Sequence, residues 1–221
     1  MYKRGRKLGV GGICLAIALS LAAFSSPSAQ ANWKVGGAEV KEGTEVPLAL
    51  TVHLNPKLLF RVPGIGIVIH CDRLLFHSKI SFPRVWRSKW LIDINCRILS
   101  GEKEVPCKMA EPVEASTKGE LFLHEGKTYL RVEPETAGAP FMTMKFSGEE
   151  CVLPKEVVVK GKLVLEDPSL ETEQVEHVFT PNNKGLFADK LLFGASEAKF
   201  EGEMGVTLGE GFEGKKWSGV A

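Results

Sequence analysis

His70-Cys71 sets an imidazole beside a thiol, the pairing that activates a cysteine nucleophile. Adjacent side chains on a strand point to opposite faces, so this ring faces away from the sulfur. Cys71 instead shares a face with Ile65, Ile67 and Ile69 and reads as a buried structural cysteine. The five histidines, His53, His70, His77, His124 and His177, form no HExxH or other short metal spacing and read as surface residues. No GxSxG elbow, phosphate-binding loop, dinucleotide fingerprint or DxDxDG calcium loop occurs. Glu149-Glu150 and Glu166-Asp167 are carboxylate pairs of the type glycosidases use. With 27 acids in the chain, a solvated acidic face is the simpler reading of them. No catalytic residue, cofactor or metal ligand is assigned.

One stretch stands apart. Ser81–Trp90, SFPRVWRSKW, interleaves Phe82, Trp86 and Trp90 with Arg84, Arg87 and Lys89. Exposed, these side chains would form a platform, with aromatic faces for a sugar and cations for an anionic polymer. The same residues also fit an extended strand. Phe82, Trp86, Trp90, Ile92, Ile94 and Ile98 then share a core face, and Arg87, Lys89 and Arg97 a solvated one. Pro83 lacks an N–H and restricts Phe82, so the strand is expected to begin after it. Trp86 and Trp90 are expected inside; Phe82, Arg84, Trp86, Arg87 and Trp90 remain the candidate ligand-binding set.

The segment that must deliver any such site to its place is the first. Lys3, Arg4, Arg6 and Lys7 precede an apolar run, densest over Ile13–Phe24, and Ala29-Gln30-Ala31 fits the small-x-small pattern of signal peptidase. Residues 1–31 read as a helical signal peptide cleaved before Asn32, and the chain as secreted, with no transmembrane segment after cleavage. Removing those four basic residues from 28 leaves 24 basic against 27 acidic residues, a net of −3. That balance argues against nucleic-acid binding. Export makes the four remaining cysteines, Cys71, Cys96, Cys107 and Cys151, candidates for disulfides. Three pairings exist; the short loop favours Cys96–Cys107, leaving Cys71–Cys151. No CxxC pair marks a redox or zinc site.

The elements that would carry these residues are strands. Ala198, Phe200, Gly202, Met204, Val206 and Leu208 alternate with Glu197, Lys199, Glu201 and Glu203, which predicts one half-buried strand over 196–208. Val157, Val159, Leu163 and Leu165 alternate with charged residues, as do Met142, Met144 and Phe146 with polar ones. Leu121, Leu123, Leu130 and Val132 predict a hairpin turning at Glu125-Gly126. Trp33 and Trp217 are placed to pin terminal strands to the body. Gly and Pro punctuate these runs, and no long amphipathic helix appears. The fold class is all-β: an antiparallel sandwich, or a barrel-like one, of ten or more strands in a single domain over 32–221.

An opening Trp33, Val35 and Gly36, a strand running into Cys71, the close pair Cys96 and Cys107, the segment Met144–Lys162 with Phe146, Cys151, Pro154 and Gly161, and a late Trp217 form a set. Together they resemble a group of uncharacterised secreted, cysteine-containing β-rich proteins of actinobacteria. The resemblance implies an exported, disulfide-bearing β-domain and no activity.

The functional expectation is therefore a secreted, non-enzymatic β-domain with a structural or binding role at or outside the cell surface. The alternative is a binding module for cell-envelope polysaccharide or an anionic polymer. A third reading is an extracellular hydrolase whose carboxylate pair is assembled by the fold. The expected partner is a cell-envelope polymer or a surface protein.

Overall fold

A computed structural model describes residues 32–51, 58–81, 85–93, 95–110, 112–184 and 189–221. The proposed signal peptide, Phe82 and Arg84 lie outside the described residues. The strands, in chain order, are β1 (Asn32–Val35), β2 (Ala38–Glu39), β3 (Glu45–Thr51), β4 (Leu58–Val62), β5 (Ile67–Cys71), β6 (Arg73–Ser81) and β7 (Val85–Asp93). Then come β8 (Arg97–Ser100), β9 (Lys103–Glu104), β10 (Lys108–Met109), β11 (Val113–His124), β12 (Lys127–Pro134), β13 (Met142–Ser147) and β14 (Glu156–Gly161). The last are β15 (Leu163–Glu166), β16 (Glu176–Pro181), β17 (Leu191–Phe193), β18 (Ser196–Glu201), β19 (Met204–Leu208) and β20 (Trp217–Val220). The only helical turn among the described residues is a 3-10 turn at Pro63–Ile65. The chain is thus all-β, as its alternation predicts.

Eight strands close a barrel in the order β11-β12-β15-β16-β19-β3-β6-β7. Nine form a curled sheet, β10-β13-β14-β17-β18-β4-β5-β8-β9, and β2-β1-β20 form a small terminal sheet. The chain visits barrel and curled sheet alternately: β3, then β4-β5, then β6-β7, then β8 to β10, and so on to β19. Strands that follow each other in sequence, such as β14 and β15 or β18 and β19, keep matching places in the two bodies, so each continues the other.

Unusual backbone marks these crossings. Asn95 between β7 and β8 has φ 52°, Gly161 before β15 φ 107°, and Gly202 between β18 and β19 φ 135°. A Cβ on Gly161 would sit 1.9 Å from the Lys190 carbonyl oxygen, so only glycine fits there. The single strand expected over 196–208 is therefore two. β18 pairs with β4 in the curled sheet, and β19 with β3 in the barrel. The expected inward face survives the break: Ala198, Phe200, Met204, Val206 and Leu208 are all buried.

Other expectations meet the same test. Val157, Val159, Leu163, Leu165, Met142, Met144 and Phe146 are buried. His124 pairs with Lys127 around Glu125-Gly126, whose φ values of 48° and 75° make the tight primed turn that suits a hairpin. Leu123, expected to line that hairpin, is 54% exposed, because the strands there run past the core. Ile65 is also exposed, since it sits in the 3-10 turn and not on β5.

The disulfides correct the expected pairing. They are Cys71–Cys96 and Cys107–Cys151. β5 and β8 are neighbours, with His70 opposite Arg97, which brings Cys71 at the end of β5 beside Cys96 just before β8. Spatial neighbours across a sheet, not proximity along the chain, decide the partner.

Candidate functional site

Trp86 and Trp90 lie on the inward face of β7, 3% and 1% exposed. Gly119 of β11 stands opposite Trp86 and leaves room for its indole; a Cβ there would be 3.3 Å from the Trp86 Cβ and 2.9 Å from Leu130. Trp86 meets Phe179 of β16 edge-on across the barrel, centroids 5.4 Å apart. Trp90 donates from Nε1 to the hydroxyls of Ser88 (2.6 Å) and Thr117 (2.9 Å), both buried, and meets Phe200 edge-on. It ties the barrel to the curled sheet, whose core joins the barrel's in one cluster.

Arg87 points the other way. Its guanidinium reaches the Ser81 hydroxyl (2.9 Å) and Glu135 (3.5 Å) on the outer wall. The segment's candidate residues are therefore not assembled on one surface: two indoles are internal and Arg87 is external. Around Arg87, a shallow depression is lined by His77, Lys79, Lys89, Glu45 and Glu135. Lys79 pairs with Glu45 (2.6 Å) and Lys89 with Glu114 (3.0 Å), so cations and carboxylates alternate along this wall.

The barrel's end is filled by side chains from the terminal sheet. Trp33 and Trp217 are fully buried; Trp33 lies 6.0 Å from Trp86 and 5.8 Å from Trp217, ring to ring. Gly219 beside them has no room for a Cβ, which would fall 2.8 Å from the Trp33 ring.

Beneath Trp217 sits the strongest polar constellation among the described residues. His177, expected at the surface, is completely buried on β16, and Asp167, in the loop after β15, is nearly so. His177 Nδ1 lies 2.5 Å from Asp167 Oδ2, and Nε2 lies 2.8 Å from the Trp217 carbonyl oxygen. With Asp167 ionised, both partners are acceptors, an arrangement that the imidazolium form of the ring satisfies at both nitrogens. Asp167 Oδ1 accepts from the Ser169 N–H and hydroxyl, each 2.8 Å. Burial pushes the Asp167 carboxyl up. The hydrogen bonds from His177 and Ser169, with the imidazolium charge, outweigh that and hold it below its ordinary value.

Serine, histidine and aspartate here do not make a nucleophilic triad. The hydroxyl bonds to the carboxylate and not to the ring, whose outer nitrogen is committed to a backbone carbonyl. A signal for His177 was present in the sequence: it shares its face of β16 with Phe179, which is fully buried.

On the outer wall, Glu133 is the other carboxyl held below its ordinary value. The Lys162 hydrogen bond is the largest cause, against a smaller opposing effect of burial, with the Lys118 hydrogen bond and the charges of both lysines assisting. Among the described residues no group of three or more His, Cys, Asp or Glu is arranged to hold a metal ion, and no helix is long and apolar enough to cross a membrane. Comparison with protein-family models, with curated proteins and with solved structures finds no match.

Proposed function

We propose that the chain from Asn32 onward works outside the cytoplasm, after signal-peptide cleavage, as a non-enzymatic β-domain with a structural or binding role. One observation carries this reading. The side chains best suited to chemistry are committed to the fold: the four cysteines to disulfides, both nitrogens of His177 to acceptors, and Trp86 and Trp90 to the core. Two disulfides fit an oxidising, non-cytoplasmic compartment. The resemblance to secreted actinobacterial proteins belongs to the same proposal.

A binding role has one place favoured by geometry. His77, Lys79, Arg87 and Lys89 line the depression of the barrel wall together with Glu45 and Glu135, which pair with Lys79 and Arg87, so an anionic cell-envelope polymer would bind there by taking the place of those carboxylates. N-terminal sequencing of exported protein should begin Asn32-Trp33, and a membrane-held chain beginning at Met1 would refute export. An array of glycans and anionic polymers tests the role. Binding that is abolished by salt and by Arg87→Ala selects the module. Turnover of any arrayed glycan would overturn the non-enzymatic reading.

A further inference from the structure

The covalent fastenings among the described residues lie in one part of the fold. Cys71 closes β5, Cys96 precedes β8, Cys107 precedes β10 and Cys151 follows β13. All four strands belong to the curled sheet, so neither disulfide crosses the barrel or the terminal sheet. The terminal sheet, which seats Trp33 and Trp217 in the barrel's end, is held by non-covalent contacts. Its last strand docks on the loop after β15: Gly219 N–H donates to the Leu170 carbonyl, and Gln174 and Trp217 exchange backbone hydrogen bonds at 3.0 and 2.8 Å. A charged group also grips that strand's backbone, through His177 Nε2 to the Trp217 carbonyl.

We propose that Asp167 and His177 form an acid-labile clasp that keeps the terminal sheet in the barrel, and that protonating the carboxylate releases β20 and opens the aromatic interior. A buried ion pair is tolerable only while both charges are present. Once Asp167 takes a proton, the imidazolium is left buried without its counter-ion, and in acid it regains stability by reaching water. Water reaches the ring only if Trp217 lifts away, because the ring is covered by the Trp217 indole, centroids 4.5 Å apart, and by Phe179.

The surrounding charges leave this pair to itself. From the loop, Glu171 accepts from the Thr128 N–H and hydroxyl, and Glu173 accepts from the Gly37 N–H. Glu166 at the end of β15 binds Asn182 and Lys184. Lys127, at the start of β12, lies with Tyr129 along the edge of the same loop. Glu176 adjoins His177 on the opposite face of β16. The terminal strands bring indole rings to the site. The charge that acts on Asp167 is that of His177.

The sign follows from the depressed carboxyl. The clasp is fully closed above the ordinary aspartate value of about 3.9 and opens as pH falls below it. Glu133 responds in the same direction, but it sits on the outer wall, joining β12 to Lys118 of β11 and to Lys162 just before β15. Its protonation loosens the wall and not the terminal sheet.

Hydrogen exchange on the oxidised chain from Asn32, read peptide by peptide and corrected for the intrinsic effect of pH, separates these outcomes. Between about pH 6 and pH 3, protection of β1 and β20 should fall several-fold, to at most about ninefold for one carboxyl of ordinary value about 3.9, while β5 and β13 keep theirs. Asp167→Asn should show open terminal strands already at neutral pH. Should that variant not fold, Ser169→Ala, which removes one hydrogen bond to the carboxylate, should move the opening to higher pH. Simultaneous loss of protection in β1, β5, β13 and β20, retained protection of β1 and β20, or an unmoved midpoint in Ser169→Ala would each overturn the clasp.

Discussion

Trp33 and Trp217 come from opposite ends of the described chain and meet inside the barrel, ring centroids 5.8 Å apart, both fully buried. Their strands pair antiparallel, with Val35 opposite Trp217 and Trp33 opposite Gly219. The end of the barrel is thus closed by side chains that none of the eight barrel strands supplies. Replacing either tryptophan by alanine should cost about 3–5 kcal/mol, the usual loss for a large fully buried ring. The double substitution should cost less than the sum, because each single change already loosens the shared packing. Urea unfolding monitored by far-UV circular dichroism measures all three; strict additivity would show that the two rings do not support each other.

Much of this is legible from alternation, and the reasons for the failures are specific. Met142, Met144 and Phe146 declare a half-buried strand because antiparallel pairing leaves one face wet. The break between β18 and β19 leaves no mark, because Phe200, Met204 and Val206 stay in phase across Gly202 while the chain changes sheet. The disulfide partners are hidden because they depend on β5 lying beside β8, which is topology and not spacing. His177 misleads because histidine as a residue type says surface, while its position in the His177, Phe179 alternation says core.

The disulfide pairing is open to direct measurement. Non-reducing peptide mapping should recover Cys71 linked to Cys96 and Cys107 linked to Cys151. On the chain-entropy account, loops of 25 and 44 residues give about 3.5 and about 4 kcal/mol respectively. Cys107→Ser with Cys151→Ser should therefore lower stability by up to about 4 kcal/mol. A Cys96–Cys107 link in the map would contradict the placement of β5 beside β8.

Two glycines of positive φ separate strain from space. Gly126, φ 75°, has nothing within 4 Å of the point where a Cβ would stand, so Gly126→Ala meets only the left-handed backbone cost of about 1–2 kcal/mol. Gly161, φ 107°, would place a Cβ 1.9 Å from the Lys190 carbonyl oxygen. Gly161→Ala must therefore also displace β17 from β14, adding about 1–3 kcal/mol. Thermal or urea unfolding of the two variants should rank them widely apart, and equal losses would mean that the crossing at Gly161 yields to an added methyl.

Phe200 and Glu201 test the faces of β18. Phe200 is 1% exposed and touches Phe60 and Trp90 edge-on, so Phe200→Ala should cost about 3–5 kcal/mol. Glu201 holds Arg61 at 2.7 Å, but both side chains are more than a third exposed, and Glu201→Ala should cost under about 1 kcal/mol. Comparable losses would reverse the assignment of inside and outside for this strand.

The segment around Trp86 gives the sharpest division between core and surface, because neighbours on β7 face opposite ways. Trp86 is wedged between Gly119, Phe179 and Trp33, whereas Arg87 lies on the wall with Ser81 and Glu135. The protein should therefore emit at the blue end of the tryptophan range and resist iodide, since all four indoles are buried or nearly so. Trp86→Ala should cost about 3–5 kcal/mol. Arg87→Ala should stay within about 1 kcal/mol of wild type, as its half-exposed ion pair contributes little. Any effect of Arg87 on polymer binding would then be a surface effect, separable from stability. If Trp86→Ala left stability unchanged and its emission in the parent were readily quenched, the indole would be outside, and the aromatic platform on β7 would replace the wall around Arg87 as the place where a ligand binds.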